Sequence, residues 1–212
     1  MSEFQHSHTS DDDLGHFLKG WIRNPLAIGA FAPSGKSLAK LMARDVGEGS
    51  RVVELGAGTG SVTAALLASG VAPGNLYLVE RDPHFVKLLE RRFPRCHVVA
   101  ADALDLDSEF GANAGFDFVI SGLPLLCFSP EKRFRILQQA LRLLKPHGRL
   151  HQFTYAGRCP VDRDLRALLR VDSMLLGIAP LNLPPGFVYR LTPQGATSLA
   201  TQEPGGATRW RF

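Results

Sequence analysis

The chain has 212 residues, 45% apolar and 21% charged, with 24 Lys and Arg against 20 Asp and Glu. A domain of this size buries roughly 70% of its unfolded surface, and its 21 Gly and 14 Pro punctuate the chain rather than forming tracts, which excludes collagen-like and low-complexity classes. Cys96, Cys127 and Cys159 are odd in number and match neither a disulfide framework nor a metal-ligand spacing, so reduced thiols and no metal are expected; no apolar run approaches the length of a bilayer span.

Residues 1–13 are polar, include His6 and His8, lack the apolar core of a signal peptide, and read as a disordered leader. Asp13 is placed to cap a helix in which Leu14, Phe17, Leu18, Trp21 and Ile22 share one apolar face, flanked by Lys19 and Arg23 and ended by Pro25. Trp and Phe beside cations suit a helix lying in a membrane interface. From Leu14 to Arg44 there is no Asp or Glu, while Lys19, Arg23, Lys36, Lys40 and Arg44 fall inside, so this stretch is drawn to an anionic partner: phosphate, lipid headgroup or nucleic acid. A second short helix is predicted over 35–44. Residues 14–46 are therefore assigned to a membrane-binding or lid unit, 47–192 to an α/β domain, and 193–212, rich in Gly, Thr and Gln, to a flexible tail.

From residue 51 onward, strands and helices alternate. RVVEL (51–55) reads as a buried strand, GAGTG as a turn, and SVTAALLAS as a helix. LYLVE (76–80) is a second strand, followed by a helix from Pro83 to Arg92; HVVAA (97–101) is the third, and DALDL a short helix or turn. FDFVIS (116–121) is the fourth strand, with SGLPL at its carboxyl end, and 130–144 keeps the helical period through Phe134, Leu137, Ala140, Leu141 and Leu144. After Gly148, RLHQFTY is the fifth strand, 161–170 a helix, and MLLGIAP with GFVYRL a hairpin-like pair. The pattern predicts a Rossmann-like α/β fold: a mainly parallel seven-stranded sheet with helices on both faces and an antiparallel last strand.

Such a sheet binds ligands at the carboxyl ends of its strands. The first strand delivers Glu54-Leu55-Gly56-Ala57-Gly58-Thr59-Gly60 to that edge; the spacing is not the GxGxxG of dinucleotide folds, and there is no Walker lysine. Glu80 ends the second strand about twenty residues further on, where an acid accepts two ribose hydroxyls. Asp102 is placed at the end of the third strand to meet the exocyclic amine of an adenine, with Ala103 offering a backbone contact; Ser34, Arg81 and Ser121 complete the candidate cofactor set. Glu54 beside the glycine loop disfavours a pyrophosphate and suits a ligand carrying an ammonium and a sulfonium. The expected cofactor is S-adenosyl-L-methionine, with S-adenosyl-L-homocysteine as product.

The segments FLKGWIRNPLAIGAFAPSGKSLAKLMA, VVELGAGTGSVTAALL, LVERDPHFVKLLERRFP, VISGLPLLCFSP and NLPPGFVYRL, spanning about Phe17 to Leu191, resemble the soluble bacterial phospholipid N-methyltransferases that convert phosphatidylethanolamine to phosphatidylcholine. The resemblance implies a class I methyltransferase that docks on an anionic membrane through its N-terminal helix, at the cytoplasmic face, and methylates a headgroup amine up to three times. It implies a monomer with a phospholipid substrate and no nucleic-acid partner. Ornithine-lipid N-methyltransferases look similar, and an RNA or small-molecule methyltransferase of the same fold is the other alternative, with RRFPR (91–95) and KRFR (132–135) as its phosphate contacts. Against a nucleobase, the strand end Ser121-Gly122-Leu123-Pro124-Leu125-Leu126 has no aromatic to stack on it, and its aliphatic lip suits a lipid.

The candidates for chemistry are Ser121, to hydrogen-bond the amine, and His151 or Tyr155, to take or relay its proton; proton loss to water before binding is the alternative. Leu123, Tyr155, Tyr189 and Arg190 are the candidate substrate contacts. Arg190, Arg23 or Lys19 would meet the phosphate, and Tyr155, Tyr189 or Trp21 the methylated ammonium.

Overall fold

VVEL, LYLVE and FDFVIS are short apolar runs rich in β-branched and aromatic residues, and each is buried along nearly its whole length. Strands of that kind need cover on both faces, which the intervening amphipathic segments supply as helices. The computed structural model describes residues 33–111, 114–182 and 184–195, with side chains from Gly35 onward. The expectations for the leader, for Leu14, Phe17, Leu18, Lys19, Trp21, Ile22 and Arg23, and for the tail beyond Gly195 lie outside the described residues, as does the side chain of Ser34.

In chain order the elements are α1 (Pro33–Met42), β1 (Val52–Leu55), α2 (Ser61–Ala68), β2 (Leu76–Glu80), α3 (Pro83–Arg92), β3 (His97–Ala100), α4 (Leu106–Phe110), β4 (Phe116–Ser121), α5 (Pro130–Arg142), β5 (Leu144–Thr154), α6 (Arg163–Leu169), β6 (Val171–Ala179) and β7 (Gly186–Pro193). They form one seven-stranded sheet in the order β3-β2-β1-β4-β5-β7-β6. The pairings among β1 to β5 are parallel, and β7 runs antiparallel to both β5 and β6. The Rossmann-like expectation therefore holds, last strand included. The β6–β7 connection is too short for a crossover helix, so the chain can only return as a hairpin.

Strand order reverses between β1 and β4, and the sheet divides the core into two layers. Phe116, Leu125, Ile136, Leu137 and Leu150 pack on one face, under α4, α5 and α6. Met42, Leu66, Leu78, Leu89, Ile120, Phe153 and Val188 pack on the other, under α1, α2 and α3. Helix starts follow local chemistry: Asp82, Ser129 and Asp162 accept from the backbone N–H of His84, Lys132 and Leu165, and Pro83 and Pro130 occupy first-turn positions.

Two boundaries differ from expectation. The helical period of α5 continues in sequence through Leu144, yet β5 begins there. Lys145 precedes Pro146, which disfavours helical backbone, and the chain turns extended with a register irregularity between Phe116 and Phe118. The third strand ends at Ala100, so Asp102 sits in the loop just past it. At the irregularity Gly148 is packed so closely that a Cβ would lie 2.9 Å from Leu144 Cβ and 3.0 Å from the Phe116 carbonyl oxygen. Backbone cannot yield as a side-chain tip does. Gly148→Ala is expected to destabilise the fold by about 1–3 kcal/mol, whereas Gly74→Ala, where a Cβ meets nothing within 4 Å, should stay within about 0.5 kcal/mol of wild type; urea unfolding of both variants checks this.

Candidate active site

The switch point between β1 and β4 opens a crevice at the carboxyl edge, and the loops that flank it meet through glycine. After β1, Gly56, Gly58 and Gly60 all take left-handed backbone, with φ of 72°, 52° and 81°. A Cβ on Gly56 would lie 2.9 Å from Leu123 Cδ2, and one on Gly122 would lie 3.1 Å from the Gly56 carbonyl oxygen. Side chains at either position would fill the cradle. Between the two loops and the surrounding strand ends lies a cavity of about 380 Å³, inside the roughly 300–1,000 Å³ range of small-molecule sites.

Glu80 organises the near wall. Its Oε2 accepts from the Gly58 N–H at 2.9 Å, and its Oε1 from the N–H groups of Arg81 and Asp82, each at 2.9 Å. A carboxylate offers about four lone-pair sites, so acceptor capacity remains for a ligand hydroxyl. Asp102 Oδ1 accepts from Leu104 N–H at 3.0 Å, and its Oδ2 is 3.4 Å from Arg81 Nη1. Ala103 is buried in the same wall. Glu54 is buried below the glycine loop and accepts from Thr63 Oγ1 at 2.7 Å. Burial, partly opposed by the Thr63 bonds, pushes its pKa up to about 8. It therefore carries a proton at neutral pH until a cation enters the cavity and draws it into the ionised form.

The far wall is apolar. Leu38 and Met42 of α1, Leu123 and Pro124 after β4, Phe128, and Phe153 at the end of β5 line it, with Lys132, Tyr155 and Asn182 as its polar members. Acids at the ends of β1 and β2 and beyond β3, an open glycine cradle between them, and no cation in the glycine loop fit an adenosyl ligand with a cationic amino-acid arm and oppose a pyrophosphate.

The structure brings together Glu54, Gly56, Gly58, Glu80, Arg81, Asp102, Ala103, Leu123 and Tyr155 around this cavity, and it separates the other candidates from it. Gly60 does not line it; a Cβ there would lie 2.3 Å from the Phe93 ring, so this glycine permits packing of α3. Ser121 is buried below the wall, its Oγ accepting from Leu123 N–H at 3.4 Å, which shapes the turn rather than meeting an amine. His151 is fully buried, edge-on to Phe118, with Nδ1 donating to the Met42 carbonyl at 2.9 Å. It lies two residues, about 6.6 Å of strand, before Phe153 and cannot serve as the base. Tyr189 pairs with Gln152 on the face of the sheet opposite Phe153 and Tyr155, and Arg190 is held by Asp45 at 3.3 Å. Neither touches the cavity. Gly35, the neighbour of Ser34, does line it.

Phe128, Phe153 and Asn182 were not singled out by the sequence, and Lys132 was read only as a phosphate contact in the KRFR run; all four line the cavity. Phe153 was reachable, since the strand alternation that placed Tyr155 also places it. Asn182 opens the NLPPGFVYRL segment, but nothing local marks it as a wall residue; the return of the β6–β7 hairpin brings it there.

A family model described as "Methyltransferase domain" matches residues 52–148. The ornithine lipid N-methyltransferase of Singulisphaera acidiphila is 34% identical over 186 residues, covering 84% of this chain and 94% of that protein. Among solved structures, 1,6-didemethyltoxoflavin-N1-methyltransferase of Burkholderia thailandensis, with bound S-adenosylhomocysteine, superposes with a TM-score of 0.62 at 18% identity, over 91% of this chain and 92% of that one. The N-methyltransferase NodS of Bradyrhizobium japonicum gives 0.58 at 14% identity, over 78% of this chain and 99% of the other. The two structures share the fold.

Glu80→Gln keeps the shape and removes the charge and one acceptor. Adenosylhomocysteine binding, measured by calorimetry, is expected to weaken roughly 10- to 100-fold with the far-ultraviolet dichroism unchanged. Burial holds the His151 pKa below its ordinary 6.5, with the Met42 carbonyl partly opposing. Above that value the ring is neutral whether folded or unfolded; below it the unfolded chain takes up a proton that the folded chain refuses, so stability falls on acidification. Urea unfolding across about pH 5–7.5 should show this slope, and His151→Gln should flatten it.

Proposed function

The chain belongs to the class I S-adenosylmethionine-dependent methyltransferases, and from that membership we propose that its acceptor is the primary amine of a zwitterionic membrane-lipid headgroup. The observation that carries this reading is the apolar wall of Leu38, Leu123, Pro124, Phe128 and Phe153 facing the carboxylate wall across one cavity. A free polar amine would gain little from such a wall, and the β4 strand end, Ser121 to Leu126, offers a flat base no aromatic to stack on. The relative from Singulisphaera acidiphila, matched well beyond the cofactor-binding half, favours ornithine lipid as the acceptor. Phosphatidylethanolamine, which the sequence segments resemble and which would be carried stepwise towards phosphatidylcholine, is the second reading.

S-adenosylmethionine supplies a methyl group from its sulfonium and leaves as the thioether S-adenosylhomocysteine. The chain's part is positioning: Glu80 for the ribose hydroxyls, Asp102 and Ala103 for the adenine, Glu54 for the ammonium, and the glycine cradle for close approach. The amine has to arrive neutral, its lone pair free. With His151 walled off and burial raising the Tyr155 pKa above its ordinary 10.0, neither removes that proton. Water takes it before the amine is seated, and the Tyr155 ring is left to stabilise the methylated ammonium.

Attachment to a lipid surface has support beyond the apolar face expected of residues 14–22. The exposed large apolar side chains among the described residues are Leu168, Met174, Leu175, Ile178 and Leu181, and Leu181 adjoins Asn182 in the cavity wall. Burying Ile178 and Leu181 in a bilayer is worth about 1.5–3 kcal/mol each, and anionic lipid adds about 1 kcal/mol for each nearby Lys or Arg. The protein then works peripherally, at the cytoplasmic face. An RNA reading loses some of its phosphate contacts. Arg92 donates to the Thr59 carbonyl, and Arg133 is bonded to the Pro160 carbonyl and paired with Asp162.

The test is methylation in anionic vesicles carrying ornithine lipid or phosphatidylethanolamine, read by mass spectrometry of the lipids. Mono-, di- and trimethylated headgroups should accumulate in sequence, and Phe17→Ala with Trp21→Ala should lower vesicle association while sparing adenosylhomocysteine affinity. No methylation of either lipid would sink the reading, and joint loss of both properties in the double variant would show that docking and cofactor binding are not separate tasks.

A further inference from the structure

We propose that Asn182 binds the acceptor amine through Oδ1, so that the enzyme's hold on its substrate weakens as N–H groups are replaced by methyl. The assignment rests on the lipid-amine reading above and says which atom recognises the amine. Asn182 lies in the β6–β7 turn, where its backbone N–H donates to the Ala179 carbonyl at 3.2 Å. It is 6% exposed and lines the cavity beside Tyr155. Its amide neighbours the Tyr155 hydroxyl and partly opposes the burial that raises the Tyr155 pKa. Its Oδ1 is buried and, among the described residues, has no hydrogen-bond partner.

A buried carbonyl without a donor is a defect in a finished interior and a fitting in a binding site. The turn is brought in close: a Cβ on Gly186 would lie 3.0 Å from Leu38 Cδ1 and 3.5 Å from Asn182 Nδ2. The chemistry of the position also suits an amine. The side chain is neutral, so it can accept an N–H without stabilising the ammonium, as a carboxylate there would, and the lone pair remains available for methyl transfer. A neutral primary amine has two N–H groups, its monomethyl product one and its dimethyl product none. The first two transfers can use Asn182; the third has only the Tyr155 ring and the apolar wall.

The experiment compares the full chain with Asn182→Leu, a near-isosteric change, on vesicles carrying unmethylated, monomethyl or dimethyl headgroups. The variant should lose roughly 10- to 100-fold in kcat/KM on the first two and stay within about twofold on the third. A second readout needs no turnover: calorimetric binding of a short-chain soluble phosphatidylethanolamine and its trimethylated counterpart, in which the wild-type preference for the amine should vanish in the variant. Unchanged adenosylhomocysteine affinity establishes that the variant is folded; if it is not, Tyr155→Phe, which removes the hydroxyl beside the same amide, should reproduce the graded loss at smaller size. An equal loss on all three acceptors, or none on any, overturns the Asn182 assignment and leaves the lipid reading intact. A wild-type chain that methylates none of them overturns both.

Discussion

The Glu80 carboxylate accepts from the backbone N–H groups of Gly58, Arg81 and Asp82, and through them it joins the loop after β1 to the end of β2. Hydrogen bonds to a charged acceptor are among the stronger ones in proteins, and this group is almost wholly removed from water. The left-handed turn at Gly58 is thereby held against the end of β2. The Leu123 loop approaches from β4 against Gly56, so the acceptor wall takes its place from the same cradle. Both halves of the site depend on one carboxylate at the end of β2, one strand from the switch point.

Glu54, the second acid, strains the fold where Glu80 braces it. Its raised pKa near 8 reflects burial first, with the Thr63 bonds opposing and the charge of Glu80 adding a little. A carboxyl whose folded pKa exceeds its unfolded value contributes stability that is complete below about 4.5 and lost as pH rises through about 8. The fold thus disfavours the ionised form of this acid, and a cationic ligand would favour it. Placing an acid where burial opposes its charge is a familiar feature of sites prepared for a partner of the opposite sign.

The acceptor side is assembled from parts distant in the chain: α1 contributes Leu38, the β4 loop Leu123 and Pro124, β5 Phe153, and the closing hairpin Asn182. The hairpin has a double position, with Leu181 exposed on its outside and Asn182 buried on its inside. A lipid reaching the cavity past that turn would meet apolar surface first and a hydrogen-bonding atom last. On the proposed lipid-headgroup reading, such an order would let the acyl part remain in the bilayer while the headgroup leaves water.

Local sequence determined the strands, the helix starts, the glycine turn and the acids Glu54 and Glu80, because each follows from short-range rules of period, capping and backbone freedom. Repeated strand–helix units constrain the sheet strongly enough that its edge could be located in advance, and with it the cofactor. The acceptor residues were a different matter. His151, Tyr155 and Tyr189 looked equivalent as polar residues near the ends of late strands, yet strand alternation turned Tyr189 to the opposite face, depth sealed His151 under Met42, and Tyr155 alone reached the cavity. Arg190 was drawn off by Asp45, far away in sequence, and Asn182 arrived only because β7 folds back beside β5. Which side chains share a pocket across such separations is decided by register and packing, and these exist only once the sheet has closed.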